Sequence, residues 1–120
     1  MVKNIIRGDV IYADLGQHTN SCVQSGIRPC VVVSNDKNNK YANSLSVCPC
    51  TTKIDKKQIP THILIQPSDV KGYFERKSVL LAEQITVIGK NMIVSKVGHI
   101  SEESDVMKAV NGALKRQLDV

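Results

Sequence analysis

The sequence predicts a mainly β chain closed by a C-terminal helix (α+β), its strands forming an antiparallel, barrel-like sheet. Three observations carry that prediction. The first two-thirds of the chain breaks into short β-branched runs divided by turn residues. After Ser101 the apolar period changes from that of a strand to that of a helix. Aromatics are only 3% of the 120 residues and Trp is absent, so the core must be built from Val, Ile and Leu, which suits β-structure.

Asp9-Val10-Ile11-Tyr12-Ala13-Asp14 partly alternates and reads as the first strand. The polar stretch from Gly16 to Gly26 is too long for a tight hairpin and reads as a loop. Arg28 to Ser34 (RPCVVVS) is a continuous β-branched run, expected to be a strand buried on both faces. Asn35 to Lys40 (NDKNNK) reads as a turn, because Asn and Asp tolerate tight backbone conformations. Leu45 to Cys50 makes a third strand, Lys53 to Lys57 a charged connection, and His62 to Ile65 a fourth strand. Ser78 to Ile85 supplies another, and Met92 to Val97 a last short one. Ser101 then caps a helix whose first turn carries Glu102 and Glu103, anions well placed against the N-terminal dipole. Val106, Val110, Ala113 and Leu114 fall on one face of that helix. Asn111-Gly112 weakens it by about 1 kcal/mol relative to Ala, so packing must hold it.

A chain of 120 residues has the size of one domain. The formal charge of +5 favours a polyanionic partner without establishing one. The N-terminus lacks the apolar core of a secretory signal, and no apolar run approaches the ~20 residues that span a bilayer. A cytoplasmic protein with no membrane partner is expected, its four cysteines reduced. Cys22, Cys30, Cys48 and Cys50 form no C-x-x-C pair, which argues against zinc. Cys48 and Cys50 point to the same strand face and read as small core residues.

Among possible motifs, Arg7-Gly8-Asp9 reads as a turn entering the first strand. Phosphate-binding loop, dinucleotide fingerprint and H-E-x-x-H helix are all missing from the sequence, and His18, His62 and His99 are dispersed. Metal-free RNA cleavage asks for little more than this chain offers. The ribose 2′-OH attacks the adjacent phosphate, so an enzyme must orient it, move protons and neutralise developing negative charge. A fixed guanidinium matches phosphate oxygens with its planar fork. Arg28 stands where the Gly16–Gly26 loop meets a strand, and Thr51 follows another strand. Such strand ends can converge on one phosphate. Spacing alone equally allows Arg28 in a surface ion pair and Thr51 as a plain strand end.

Four ordered blocks go further. They are R-G-D-V-x-x-A-D-L at Arg7 to Leu15, G-x-R-P at Gly26 to Pro29 continuing through Val31 to Asp36, Thr51-x-Lys53 leading to Pro60-Thr61-His62, and Val79 to Ile85. Together they resemble the MazF/PemK toxins of type II toxin–antitoxin systems over nearly the whole chain. The resemblance implies a CcdB–PemK-like antiparallel twisted sheet, an SH3-like barrel. It implies a sequence-specific endoribonuclease that cuts single-stranded mRNA without metal or cofactor, leaving a 2′,3′-cyclic phosphate and a 5′-hydroxyl. Carried over by position, the catalytic pair is Arg28, stabilising the pentacovalent phosphate and assisting proton transfer, and Thr51, bonding a phosphate oxygen. Gln84 matches a position that touches RNA in relatives; its amide can read a base edge or can simply end a strand. Ser21, Gln24 and Asn35 join it as candidate RNA contacts. The chain departs from members carrying an Arg-x-Asp pair in the last block, having Leu81 and Glu83 instead, and so resembles the Gram-positive branch. No proton-transfer role is assigned to Glu83. The implied partners are single-stranded RNA, a second copy of the chain in a homodimer, and a MazE-like antitoxin whose acidic disordered segment competes with RNA and folds as it binds. The same fold also allows a CcdB-like, non-enzymatic poison of DNA gyrase, which would need no arginine–threonine pair. A plain nucleic-acid-binding domain is the third reading.

Overall fold

The computed structural model describes residues 4–18, 22–54 and 59–120. Strand β1 (Asp9–Asp14) pairs antiparallel with β2 (Ile27–Val32), and β2 with β3 (Ser44–Thr51). The four residues Cys30–Val33 are all buried, as the unbroken apolar run requires, while Ile27 and Arg28 at the start of β2 are exposed. Strands β4 (His62–Ile65), β5 (Lys71–Gly72), β6 (Ser78–Leu81), β7 (Thr86–Gly89) and β8 (Ile93–His99) complete the sheet. Its order is β4-β6-β3-β2-β1-β8-β5, with β7 added to β3, and every pairing is antiparallel.

The eight-residue β3 organises the curl. Its first half pairs with β7 from Ser44 to Val47, and its end pairs with β6 at Cys50 and Thr51. Between β6 and β7 the chain turns through a 3-10 segment, Ala82–Gln84, pulled inward by the fully buried Ala82. Because alternate side chains of a strand face opposite ways, the central strands feed two cores. Val10, Val31, Cys48 and Cys50 pack with Leu80, Ile100 and helix α2 (Asp105–Leu118) on one side. Ile11, Ala13, Cys30, Val32 and Val47 pack with Leu45 and Ile88 on the other. Cys48 and Cys50 do share a face, and desolvation by burial pushes the Cys30 and Cys48 thiols up to about 12 and Cys50 well above its ordinary value. They are inert core residues.

Several expectations are corrected. Asn35 to Lys40 is not a turn but the entry to a short helix, α1 (Asp36–Tyr41). The Asn35 side chain caps it by accepting from the Asn38 N–H at 2.8 Å. Buried Asn39 ties it down, donating to the Ser34 carbonyl at 2.8 Å and accepting from the Ser34 hydroxyl. The strand expected over Ser78 to Ile85 stops at Leu81, and Met92 lies in a 3-10 turn just before β8. β5 and β7 were not anticipated. Helix α2 is capped by Ser104, whose hydroxyl accepts from the Met107 N–H, rather than by Ser101. Val110 and Ala113 face the core as expected, with Val106 and Leu114 at its margin, but Met107 is the most deeply set of its first turn. Of the charged connection at 53–57, only Lys53 and Ile54 fall among the described residues.

The Arg7-Gly8-Asp9 segment is the expected turn, and each residue in it is structural. Gly8 has φ +94°, and a Cβ there would stand 2.5 Å from the Ile100 carbonyl oxygen. Asp9 is fully buried, accepting from the Ile6 N–H at 2.9 Å and meeting Lys96 Nζ at 3.1 Å and His99 Nδ1 at 2.8 Å.

Candidate active site

The register of β2 against β3 runs toward Arg28 and Thr51. The β2–β3 ladder pairs Val32 with Val47 and Cys30 with Pro49. The pairing ends at Cys30 and Pro49; continued two residues in the same register, it would set Arg28 opposite Thr51, and such partners share a sheet face. Both stand at the outer margin of the second core, where β2 becomes exposed and β3 ends.

Arg28 Nε donates to the Ser25 carbonyl at 3.0 Å. Among the described residues no carboxylate forms an ion pair with it, and its two terminal nitrogens have no protein partner. The surface ion pair that spacing allowed is therefore not formed among those residues. Thr51 is half-buried, and its Oγ1 accepts from the Lys53 N–H at 3.1 Å. A hydroxyl that accepts there keeps its own proton to donate elsewhere.

Thr51 lines an open groove of about 1490 Å³ whose walls are the β4–β6 face on one side and Val106 and Ala109 of α2 on the other. Lys53, His62, Glu83 and Gln84 supply its polar lining. His62 Nε2 lies 2.7 Å from Glu83 Oε2, a contact that the antiparallel β4–β6 register creates by pairing His62 with Leu81. The second carboxylate oxygen, Oε1, is buried and meets no donor among the described residues. This dyad escaped the sequence reading, which treated the histidines as dispersed. The nearness of the P-T-H block to the A-E-Q-I block across two paired strands was the available signal.

Gln84 does not simply end a strand. From the 3-10 turn its Oε1 accepts from the Gln24 N–H at 2.8 Å and its Nε2 donates to the Cys22 carbonyl at 3.0 Å. Gln24 and Gln84 are thus brought together at the groove. Asn35 is not brought there: its side chain caps α1 and lines neither the groove nor the cavity beside it. Ser21 lies outside the described residues. Among those that are described, no three His, Cys, Asp or Glu side chains group as metal ligands, and no helix is long and apolar enough to cross a membrane.

The chain can therefore offer a phosphate a guanidinium fork from the start of β2 and a hydroxyl donor from the end of β3, the latter lining an open groove. Comparison with known proteins identifies the family. The profile of the PemK-like, MazF-like toxins of type II toxin–antitoxin systems matches residues 6–118. Endoribonuclease MazF of Staphylococcus saprophyticus is 42% identical over 108 residues, 90% of this chain and 86% of that protein. Endoribonuclease EndoA of Bacillus subtilis is 41% identical over 113 residues, 93% and 92% of the two chains. In structure, a mycobacterial endoribonuclease solved with its cognate antitoxin superposes with a TM-score of 0.77 at 26% identity, covering 98% of this chain and 97% of that one. MazF of Deinococcus radiodurans, at 19% identity, shares the fold with a TM-score of 0.77 over 97% of each chain. By sequence and by fold, this chain belongs to the PemK-like, MazF-like toxins of type II toxin–antitoxin systems.

Proposed function

We propose that the chain is a metal-independent endoribonuclease toxin acting on single-stranded mRNA in the cytoplasm. The observation that carries the reading is the Arg28 fork, unpaired among the described residues, at the start of a strand whose register with β3 runs toward Thr51. The ribose 2′-oxygen attacks the adjacent phosphorus, its proton leaves, and the P–O5′ bond breaks as the 5′-oxygen gains a proton. The products are a 2′,3′-cyclic phosphate and a 5′-hydroxyl. Arg28 neutralises the charge that builds on the non-bridging oxygens and assists the proton transfers, while the Thr51 hydroxyl donates to one of those oxygens. Gln84 and Gln24, which line the groove, meet bases of the bound strand in this reading.

The partners follow from the family. The working form is a homodimer, and a MazE-like antitoxin with an acidic disordered segment folds onto the toxin and displaces RNA. The structural relative solved with its cognate antitoxin supports this reading, and the endoribonuclease relatives favour it over gyrase poisoning.

A long single-stranded RNA incubated with the purified protein in excess EDTA tests the proposal. Cleavage with cyclic-phosphate ends is expected. Intact RNA at every protein concentration removes the nuclease reading.

A further inference from the structure

Buried Ala82 fixes the 3-10 turn that follows β6, and Glu83 beside it stands on the groove wall, its side chain 30% exposed. Its Oε2 lies 2.7 Å from His62 Nε2. Its Oε1 is the one buried side-chain polar atom that meets no partner among the described residues. An acceptor shut away in that manner forfeits its bond to water and gains nothing in return. Turning the carboxylate toward the groove gives up no hydrogen bond at Oε1, and the last torsion of a glutamate is soft. Nor need His62 be released, because a carboxylate has about four lone-pair sites. Register places this group relative to Thr51. Thr51 pairs with Val79 and Val79 with Leu64, and His62, two residues before Leu64, faces the same way. Two strand spacings and two residue rises put His62 roughly 12 Å from Thr51 between Cα atoms. The pair therefore sits along the groove from a phosphate held at Thr51, rather than on it.

We propose that the Glu83 carboxylate reads the exocyclic amino group of a nucleobase near the cut, and so selects adenine, cytosine or guanine over uracil. The proposal deepens the nuclease reading above and rests on it. Phosphate oxygens only accept, so RNA can meet a carboxylate solely through base N–H groups, base amino groups or 2′-hydroxyls. A 2′-hydroxyl lies beside its own phosphate and would bring two negative charges together. An amino group lies at the edge of the base, away from that phosphate, and is the donor that carboxylates take from cytosine. Uracil has no amino group. Its single ring N–H sits between two carbonyl oxygens, and both repel a carboxylate. An acceptor left without a donor in the free protein thus becomes a test of base identity in the bound one.

Selection by binding from a randomised single-stranded RNA pool with 2′-fluoro sugars tests this assignment. Such a pool carries no nucleophile for its own cleavage and no sugar donor, so only bases can meet Glu83. In the fraction bound by the unsubstituted chain, one position should hold uracil on the order of 10-fold less often than amino-bearing bases, the effect of one hydrogen bond to a charged acceptor. Glu83→Ala should abolish that depletion while the other positions keep their preferences. A bound fraction with no uracil-poor position overturns the proposal, and is the result expected if a 2′-hydroxyl or a water meets Glu83 instead. Depletion undiminished in Glu83→Ala overturns it equally. Should Glu83→Ala fail to fold, Glu83→Gln serves in its place: it keeps the shape, loses the charge, and should shrink the depletion severalfold. Cleavage of all-ribose RNA by the unsubstituted chain in EDTA is scored separately; its absence strikes the nuclease reading, whereas the base profile strikes the role of Glu83 alone.

Discussion

Arg7 and Arg28 stand in similar settings, each within two residues of a glycine and each where a loop enters the sheet, yet the fold treats them oppositely. Arg7 uses its whole guanidinium. Nε donates to the Val33 carbonyl at 2.9 Å, Nη1 reaches both oxygens of Glu102 at 3.1 Å, and Nη2 donates to Asn111 Oδ1 at 2.7 Å. Its backbone N–H adds a bond to Asp36 at 2.7 Å. Beside it, Asp9 is equally saturated. Arg28 makes one bond to a loop carbonyl, and across its strand pair the groove holds a carboxylate oxygen with no donor among the described residues. A guanidinium with all three nitrogens engaged holds a fold together; one with both terminal nitrogens open is available to a phosphate.

The comparison can be broken most forcefully at Asp9. Asp9→Ala strands Lys96 and His99 and leaves the Ile6 N–H unmet, so urea unfolding should show a loss of about 3–5 kcal/mol, nearer the lower figure because both side chains keep contact with water. Arg28→Ala should lower RNA cleavage about 100- to 1000-fold while shifting stability by less than about 0.5 kcal/mol, with RNA affinity largely kept. Unchanged cutting would take Arg28 out of the mechanism. Arg7→Ala should do the reverse, costing about 2–3 kcal/mol of stability with the folded fraction cutting normally; a catalytic defect at full folding would dissolve the contrast. The thiols matter only in alkali. Their protonated form is favoured by the fold, so their contribution is complete below pH 9.0 and fades as pH rises toward about 12. Each should lower the unfolding free energy by about 1.4 kcal/mol per pH unit in that window. At neutral pH a thiol reagent should titrate one cysteine, exposed Cys22, until denaturant exposes the other three.

Strong local patterns were legible in the sequence. β1 and β4 fall where alternation and short apolar runs put them, and the unbroken Cys30–Val33 run is buried as such runs must be. What escaped depended on contacts between distant residues. The Asn-rich stretch after β2 is helical because Asn39 is buried against Ser34, which no turn propensity encodes. Ser101 and Ser104 are both good caps by type. Ser104 takes the role while Glu102 turns to Arg7, a partner 95 residues away. Short β5 and β7 exist because β8 and β3 offer edges. At the site, ordered blocks named Arg28, Thr51 and Gln84. They could not show that Gln84 grips the loop, that Asn35 serves a helix, or that His62 meets Glu83, since each depends on which strands become neighbours.

The cluster around Arg7 also sets a timetable. It gathers Val33, Asp36, Glu102 and Asn111 on one residue, while β1 finds its second neighbour in β8. Domains emerge from the ribosome from the N-terminal end, a few residues at a time. The first strand of this chain must therefore wait for residues 93–111 before its surroundings are complete, so neither it nor the turn that leads into it can be set by local sequence alone.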